Sequence, residues 1–588
     1  MCGIVGVVSL SPESAGLALS CLENLEYRGY DSAGIASLGK EGITVVKSKG
    51  SVSELVRLKG ASTLQGFAFI AHTRWATHGP PTDYNAHPHS DCSGSIAVVH
   101  NGIISNYEEL RERLRASGHT FKSDTDTEVI PHLIEEGLRE GTNPFEAFKE
   151  AVAKLEGYYA ILALVSGERR ILFAKRGNPL VVGLGEGKNF VASDIPAFLK
   201  FTRRVIVLQD GQLGFLTHNS VYVESNGSPV PLRVEEVPYD RDAISLAGFQ
   251  NYMLKEIHES PRSVRETILW FSSNRKVVKE VVNYMSSSRL TLLLAAGTSF
   301  HASLLFSTLM RKEGFRVEAV ISSEHYAYPK ADLIIAVSQS GETMDTLAAL
   351  RKFKTRGARV VSLTNVMETA ISRESDLRLY TRAGPEVSVA ATKTFTSQLA
   401  ALYFLYYLSV GKDPSLLRSA AEVVEVGIQA EGLAKEFGED LAKRRSVYFL
   451  GRGVGVPLSM EGALKMKEVS YVHAEAYPAG ESKHGPISLV EKGFPVVFLD
   501  EGEQLEGVPK SKLLADNVSE MRARGASIFL LGYNSDLRGE KSINLRGEED
   551  LGPFALAPVI QLIAYYAARS TGLNPDRPRN LAKTVTVQ

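Results

Sequence analysis

Apolar and polar positions change their rhythm near the middle of the chain. Up to about residue 238, short β-rich runs recur at Ile4–Val8, Gly66–Ala71, Ile96–Val99, Tyr158–Val165, Ile171–Ala174 and Val205–Leu208, most of them bounded by turn residues. Helical periodicity lies between them at Tyr107–Ser117 and Thr127–Glu140. This grouping predicts an α+β layered domain over residues 1–238. The polar stretch Val237–Phe249 reads as a connection and Tyr252–Ile268 as a helix, which together make residues 239–274 a linker with a leading helix. Beyond about residue 289, continuous apolar runs feed directly into helices. Leu290–Ala296 passes through Gly297-Thr298-Ser299 into a helical stretch reaching Glu313. Ala331–Val337 ends in Ser338-Gln339-Ser340-Gly341-Glu342-Thr343 before another, and Val360–Leu363 follows it. Buried parallel strands covered by helices carry this pattern. It then recurs: Ser446–Leu450 ends in Gly451-Arg452-Gly453, and Arg356–Val361 has a counterpart in Arg524–Phe529. Two α/β doubly wound, parallel-sheet domains are expected at residues 275–412 and 440–572. Residues 573–588 form a polar tail, frayed unless it docks.

Composition narrows the classes of function. Hydrophobic residues make up 44% and charged residues 23% of the 588, enough apolar surface for several cores. Lys and Arg number 66 against 67 Asp and Glu, so no general excess of positive charge favours nucleic acid. No apolar run approaches the roughly 20 residues that a membrane span needs. The start has no basic flank or cleavage signal, and Cys2, Cys21 and Cys92 are too few and too odd a set for a disulfide framework. A reducing cytoplasm is the expected setting.

The chemistry of the first half begins at Cys2. Removal of Met1 leaves a thiol and an α-amine on one residue, and the amine can serve as base for its own thiol. His72–Gly79 follows a strand and carries Arg74, Thr77 and His78, a set able to clamp a carboxylate through a guanidinium fork and further hydrogen bonds. Asn101 and Gly102 follow another strand and offer a side-chain amide and an open backbone N–H, donors suited to an oxyanion. Ser123–Glu128 opens a helix with acidic residues, explained by capping or by a substrate ammonium. The histidines at 72, 78, 87, 89 and 100, with Cys92, match no strong zinc spacing, and no metal site is expected. The Cys2–Gly6 start, the run Tyr27–Gly34, the Arg74 segment, Asn101-Gly102 and Asp126 together resemble the class II glutamine amidotransferase domain. The resemblance implies an N-terminal nucleophile hydrolase fold, with sheets sandwiched between helices. It also implies attack by Cys2 on a glutamine amide and an oxyanion hole of Asn101 and Gly102. Arg74, Thr77 and His78 would hold the α-carboxylate, Asp126 the ammonium, Arg28 would border the site, and Trp75 would gate an ammonia passage.

In the second half, the turns at Gly297-Thr298-Ser299 and Ser338–Thr343 put hydroxyls and free N–H groups at helix starts, where a phosphate can sit. Neither has a Walker pattern, so nucleotide hydrolysis is not indicated. The later copy carries Glu461–Glu468 and Glu475–Pro486 in place of the Ser-rich turn, so one copy is expected to bind phosphate and the other to supply acid–base groups. Lys465 and Glu468 share a helix face, an arrangement that in isolation is a solvated ion pair. His484 sits in a tight turn and Lys583 in the tail. These features, in this order after a class II glutaminase, resemble tandem sugar isomerase (SIS) domains of flavodoxin-like fold. The resemblance implies an enzyme that takes glutamine and fructose 6-phosphate, needs no cofactor and pairs as a homodimer through its SIS half. Thr298, Ser299, Ser338, Gln339, Ser340 and Thr343 would hold the sugar phosphate. Lys583 would form an imine with the open-chain ketose, His484 would assist ring opening, and Glu468 with Lys465 would move the proton. A relative acting on a different ketose phosphate, or running as a deglycase, is the alternative. Two residues depart from the common pattern, Ala296 and Ala391, and the second removes one hydroxyl from the sugar's surroundings.

Overall fold

The computed structural model describes residues 2–29, 31–74, 79–237, 245–367, 369–502, 504–505 and 508–583. The chain forms two compact units, residues 1–245 with the tail from Ala582, and residues 246–581.

In the first unit an eight-stranded and a seven-stranded sheet stack face to face. Strand Gly3–Ser14 runs antiparallel between Gln65–Arg74 and Lys188–Ala192, and Ile96–Ile104 pairs antiparallel with Gly157–Val165 in the other sheet. Alternation along each strand decides what fills the space between them. Ile4 and Val8 from one sheet meet Ala97, Val99 and Leu162 from the other, all buried. Helices Val129–Arg139 and Pro144–Ala153 cover the outer face of the seven-stranded sheet, burying Ile130, Leu133 and Phe148. Helices Gly16–Glu23 and Val52–Lys59 lie on the eight-stranded sheet. The result is a layered α–β–β–α sandwich, the arrangement of an N-terminal nucleophile hydrolase.

The second unit holds two five-stranded parallel sheets of one topology. Thr291–Ala295 is flanked by Val317–Ile321 on one side and by Leu333–Ser338, Arg359–Thr364 and Leu377–Tyr380 on the other. Ser446–Gly451 is flanked in the same way by His473–Pro478, then Pro495–Asp500, Ser527–Tyr533 and Lys541–Leu545. Each sheet therefore reverses its strand order beside its first strand, the place where doubly wound folds bind ligands. One apolar core joins the two copies. Its centre is the pair of almost wholly buried helices Lys393–Ser409 and Gly552–Ser570. Residues 413–439, given no element by the sequence pattern, carry helices Ala420–Gln429 and Glu431–Leu441, which pack on Gly552–Ser570. The tail is docked at its start: Asp576 accepts the backbone N–H groups of Tyr252 and Met253 and so caps helix Tyr252–Ser273.

Candidate active site

The glutamine side is built by two strands whose alternation runs past the apolar core. In Gln65–Arg74, Ala68 and Ile70 face the space between the sheets, and so does His72 two residues on. In Ile96–Ile104, Ala97 and Val99 carry Asn101 to the same layer. His72 Nε2 lies 3.0 Å from the His100 carbonyl and 3.2 Å from Asn101 Oδ1, both acceptors, so this nitrogen bears the proton. Burial, aided by the charge of Arg74, pushes the His72 pKa down to about 3, which keeps the ring neutral. With its oxygen so engaged, the Asn101 amide turns Nδ2 outward, where it donates to the Cys2 carbonyl at 2.8 Å. Gly102 has φ of +132°, and a Cβ there would sit 1.9 Å from the Tyr158 carbonyl oxygen, so only glycine fits.

The rest of the site shows what the sequence could and could not place. Asp126 is buried and accepts the Ile104 N–H at 2.8 Å. Arg74 donates to the carbonyls of Gly79 and Pro80 at 3.1 and 3.3 Å. Burial lowers its pKa, opposed by the negative charges of Cys2, Asp126 and Asp31, so these groups share one electrostatic neighbourhood. Arg28 is buried against Asp194 at 2.9 Å. Trp75, Thr77 and His78 lie outside the described residues. Cys21 is no rival to Cys2, because burial pushes its thiol up to about 12. The histidines read as a loop cluster are packed inside: His72 stacks on His87 at 4.1 Å, and burial holds both His87 and His89 well below their usual pKa.

On the sugar side, Gly297 opens helix Gly297–Lys312 directly after its strand, and Thr343 stands at the head of Met344–Thr355. Ser338 Oγ accepts the Gly341 N–H at 3.0 Å and lies 3.0 Å from Thr343 Oγ1, and Ser340 Oγ accepts the Glu342 N–H at 3.2 Å. The Gln339 carbonyl accepts the Asn365 N–H at 3.1 Å. The loop is thus a preformed ring of hydroxyls and amides. Thr298 differs from the expectation for a phosphate ligand, since its hydroxyl donates to Glu461 Oε1 at 3.1 Å and leaves the backbone N–H as what it can offer an anion. Ser299 Oγ accepts from Gln398 Nε2 at 2.9 Å and keeps its proton to give.

Glu461 is the residue that sequence reasoning quoted but assigned no role. It is fully buried on helix Gly455–Ser470, joins Thr298 to His301 at 2.7 Å, and lies 3.4 Å from Lys465 Nζ. Lys465 is also fully buried and reaches Glu468 at 2.5 Å, so the pair is an interior ion network and not a solvated surface pair. Burial opposes the charge on Lys465, but the flanking carboxylates of Glu461 and Glu468 win and raise its pKa. The Glu461 pKa is lowered against the same burial penalty by Lys465 and His301. Glu468 remains partly open to solvent, as an acid–base group must. Lys483 and His484 are exposed in the turn after strand His473–Pro478, and among the described residues His484 makes no hydrogen bond or ion pair. Lys583 is half-buried. Ala391 precedes a loop held by Glu386, which accepts the backbone N–H groups of Thr392 and Thr394 at 2.8 and 3.1 Å.

Residues 72–200 match the glutamine amidotransferase domain, and residues 284–408 and 440–568 match the SIS domain. Over the full length of both chains, the glutamine–fructose-6-phosphate aminotransferases (isomerizing) of Sulfurisphaera tokodaii and Sulfolobus acidocaldarius are each 53% identical, and that of Aquifex aeolicus is 43% identical. Among solved structures, the C-terminal domain of glucosamine-fructose-6-phosphate aminotransferase from Francisella tularensis is 30% identical with a TM-score of 0.52, covering 57% of this chain and 99% of that one. Tagatose-6-phosphate ketose/aldose isomerase from Escherichia coli shares the fold at 18% identity and a TM-score of 0.50, covering 57% of this chain and 98% of that one. Fold and site together define a glutamine amidotransferase joined to a tandem SIS unit. The layered sandwich carries the first function and the paired parallel sheets the second. The chain belongs to the glutamine–fructose-6-phosphate aminotransferase (isomerizing) family.

Proposed function

We propose that this enzyme converts glutamine and fructose 6-phosphate into glutamate and glucosamine 6-phosphate. The observation that carries the reading is the Asn101 amide, aimed at Cys2 at 2.8 Å by a neutral histidine, in a chain whose full-length relatives bear this activity in their names. With Met1 removed, the Cys2 amine takes the thiol proton and the sulfur adds to the side-chain amide carbon of glutamine. The oxyanion that forms is met by Asn101 Nδ2 and the Gly102 N–H. Collapse expels ammonia, and water then cleaves the thioester to glutamate. Arg74, Thr77 and His78 hold the α-carboxylate and Asp126 the ammonium, with Arg28 at the border.

Ammonia passes Trp75 to the sugar site without entering bulk water, where it would be protonated and lose its nucleophilicity. There the loop Ser338–Thr343, with Gln339 and Ser340, and the helix start at Thr298 and Ser299 hold the phosphate. His484 opens the ring and Lys583 forms the imine with the ketose. Glu468 carries the proton between C1 and C2, its basicity set by Lys465 beside it. No cofactor enters these steps. The enzyme works in the cytoplasm as a homodimer paired through residues 240–588, which sedimentation equilibrium would detect as twice the chain mass. Domain limits at 238, 274, 412, 440 and 572 are the divisions to use for truncation.

Product analysis with both substrates is the direct test, and Cys2→Ala divides it. Synthesis from glutamine should vanish while isomerisation of the sugar phosphate persists. Full turnover from glutamine in that variant, or Met1 still attached in the active protein by mass spectrometry, would reject the Cys2 assignment. Borohydride reduction in the presence of fructose 6-phosphate should attach the sugar to Lys583, and labelling confined to another lysine would reject its role.

A further inference from the structure

Four side chains that the glutamine chemistry does not use converge inside the first unit. Cys92 lies in the turn between strands His89–Ser90 and Ile96–Ile104, and His119 follows helix Tyr107–Ala116. His132 and Glu135 sit three apart on helix Val129–Arg139 and so share a face. Their ligand atoms all fall within 4.8 Å of one another. Cys92 Sγ is 3.6 Å from His119 Nδ1 and 3.7 Å from His132 Nδ1. Glu135 Oε2 is 3.0 Å from His119 Nδ1 and 3.2 Å from His132 Nδ1. A tetrahedral zinc, with bonds of about 2.3 Å to sulfur and 2.0–2.2 Å to nitrogen and oxygen, spaces its ligand atoms by roughly 3.2–3.6 Å. The four edges straddle that range.

Hydrogen bonding within the cluster is crowded: two ring nitrogens, a thiol and the Cys92 N–H all address the one oxygen Glu135 Oε2 or each other. One shared cation satisfies the thiolate, both Nδ1 lone pairs and the carboxylate together. The surroundings suit such an ion. Arg139 holds the other oxygen of Glu135, and the far nitrogen of His132 faces Glu128 at 3.9 Å, the outer carboxylate that metal-bound imidazoles commonly have. His119, His132 and Glu135 are at most 6% exposed.

We propose that Cys92, His119, His132 and Glu135 bind one zinc ion in a closed structural site. The ion ties the turn after His89–Ser90 to the helix that begins directly beyond Asp126–Glu128, and so braces the segment bearing Asp126. All four tetrahedral positions come from protein, which leaves none for water or substrate and makes the site structural. No local Cys-x-x-Cys spacing announces it, because its ligands are drawn from three elements.

The test uses the full-length protein, reconstituted with zinc and freed of loose metal, with Cys2→Ala as a control for the other open thiol. Mass spectrometry of metals should find about one zinc per chain in the wild type and in Cys2→Ala, and background levels in Cys92→Ser/His119→Asn. Cobalt substitution of the wild type should give a thiolate-to-cobalt charge-transfer band and intense tetrahedral bands. This reading does not require the double variant to fold. Chelation should lower the melting temperature of the first unit by roughly 5–15 °C. Background zinc in the reconstituted wild type, weak octahedral cobalt bands without charge transfer, or undiminished zinc in the double variant would each overturn the site.

Discussion

A single hydrogen fixes the aim of the oxyanion donor. His72 Nε2–H holds Asn101 Oδ1, and the amide must then present Nδ2 to Cys2. Asn101→Ala removes the donor and should lower kcat for glutamine hydrolysis by about 10²–10³. His72→Phe keeps the shape and leaves the donor present but unaimed. Its loss in kcat should be smaller than that of Asn101→Ala, with KM close to wild type. Wild-type kcat in His72→Phe would show that the histidine only fills space. Gly102→Ala should abolish hydrolysis outright, since its Cβ meets a backbone carbonyl that cannot move away (1.9 Å from the Tyr158 oxygen). Cys2, Asn101 and Gly102 were legible in the sequence because each ends or begins a strand, where a polar residue among apolar ones has no structural reason to stand. His72 was visible only as one of several histidines, and its role depends on a partner in another sheet.

At the scale of elements, helix Gly455–Ser470 and helix Gly297–Lys312 are joined by Glu461, which meets Thr298 and His301 on one and Lys465 on the other. A buried carboxylate with three partners cannot lose its charge without cost to all of them. Glu461→Gln should destabilise the second unit by about 3–5 kcal/mol in denaturant unfolding. It should also reduce sugar-phosphate isomerisation while leaving glutamine hydrolysis intact, and equal stability would show the network to be incidental. The recurrence of strand and helix in the two SIS copies could be read directly, since continuous apolar runs followed by small residues have few other uses. The connecting helices at 420–441 could not, because their apolar faces make sense only against Gly552–Ser570. Glu461 and Lys465 escaped for the same reason: charged residues spaced along a helix look solvated until another helix covers them.

Over the whole molecule, the two units carry opposite titration burdens, and acid should separate them. His72, His87 and His89 are held neutral by burial, His72 at about 3 and the others well below 6.5. Below pH 6.5 the unfolded chain takes up protons that the folded unit refuses, so the first unit loses stability progressively as pH falls from 6.5 toward 3. His72 alone accounts for about 2 kcal/mol by pH 5, at 1.36 kcal/mol per pH unit. The second unit's buried network behaves otherwise. Glu461, depressed from 4.5, contributes stability above that value and loses it only as pH falls through its folded pKa; Lys465, raised from 10.5, contributes below 10.5 and loses it only in stronger alkali. Between those limits the network is flat with pH. Calorimetry near pH 5 should therefore resolve two transitions, the lower belonging to the amidotransferase unit. Protein held at that pH and assayed after return to neutrality should lose glutamine hydrolysis faster than isomerisation. Simultaneous loss, or earlier failure of the SIS unit, would mean that the three histidines do not govern acid stability.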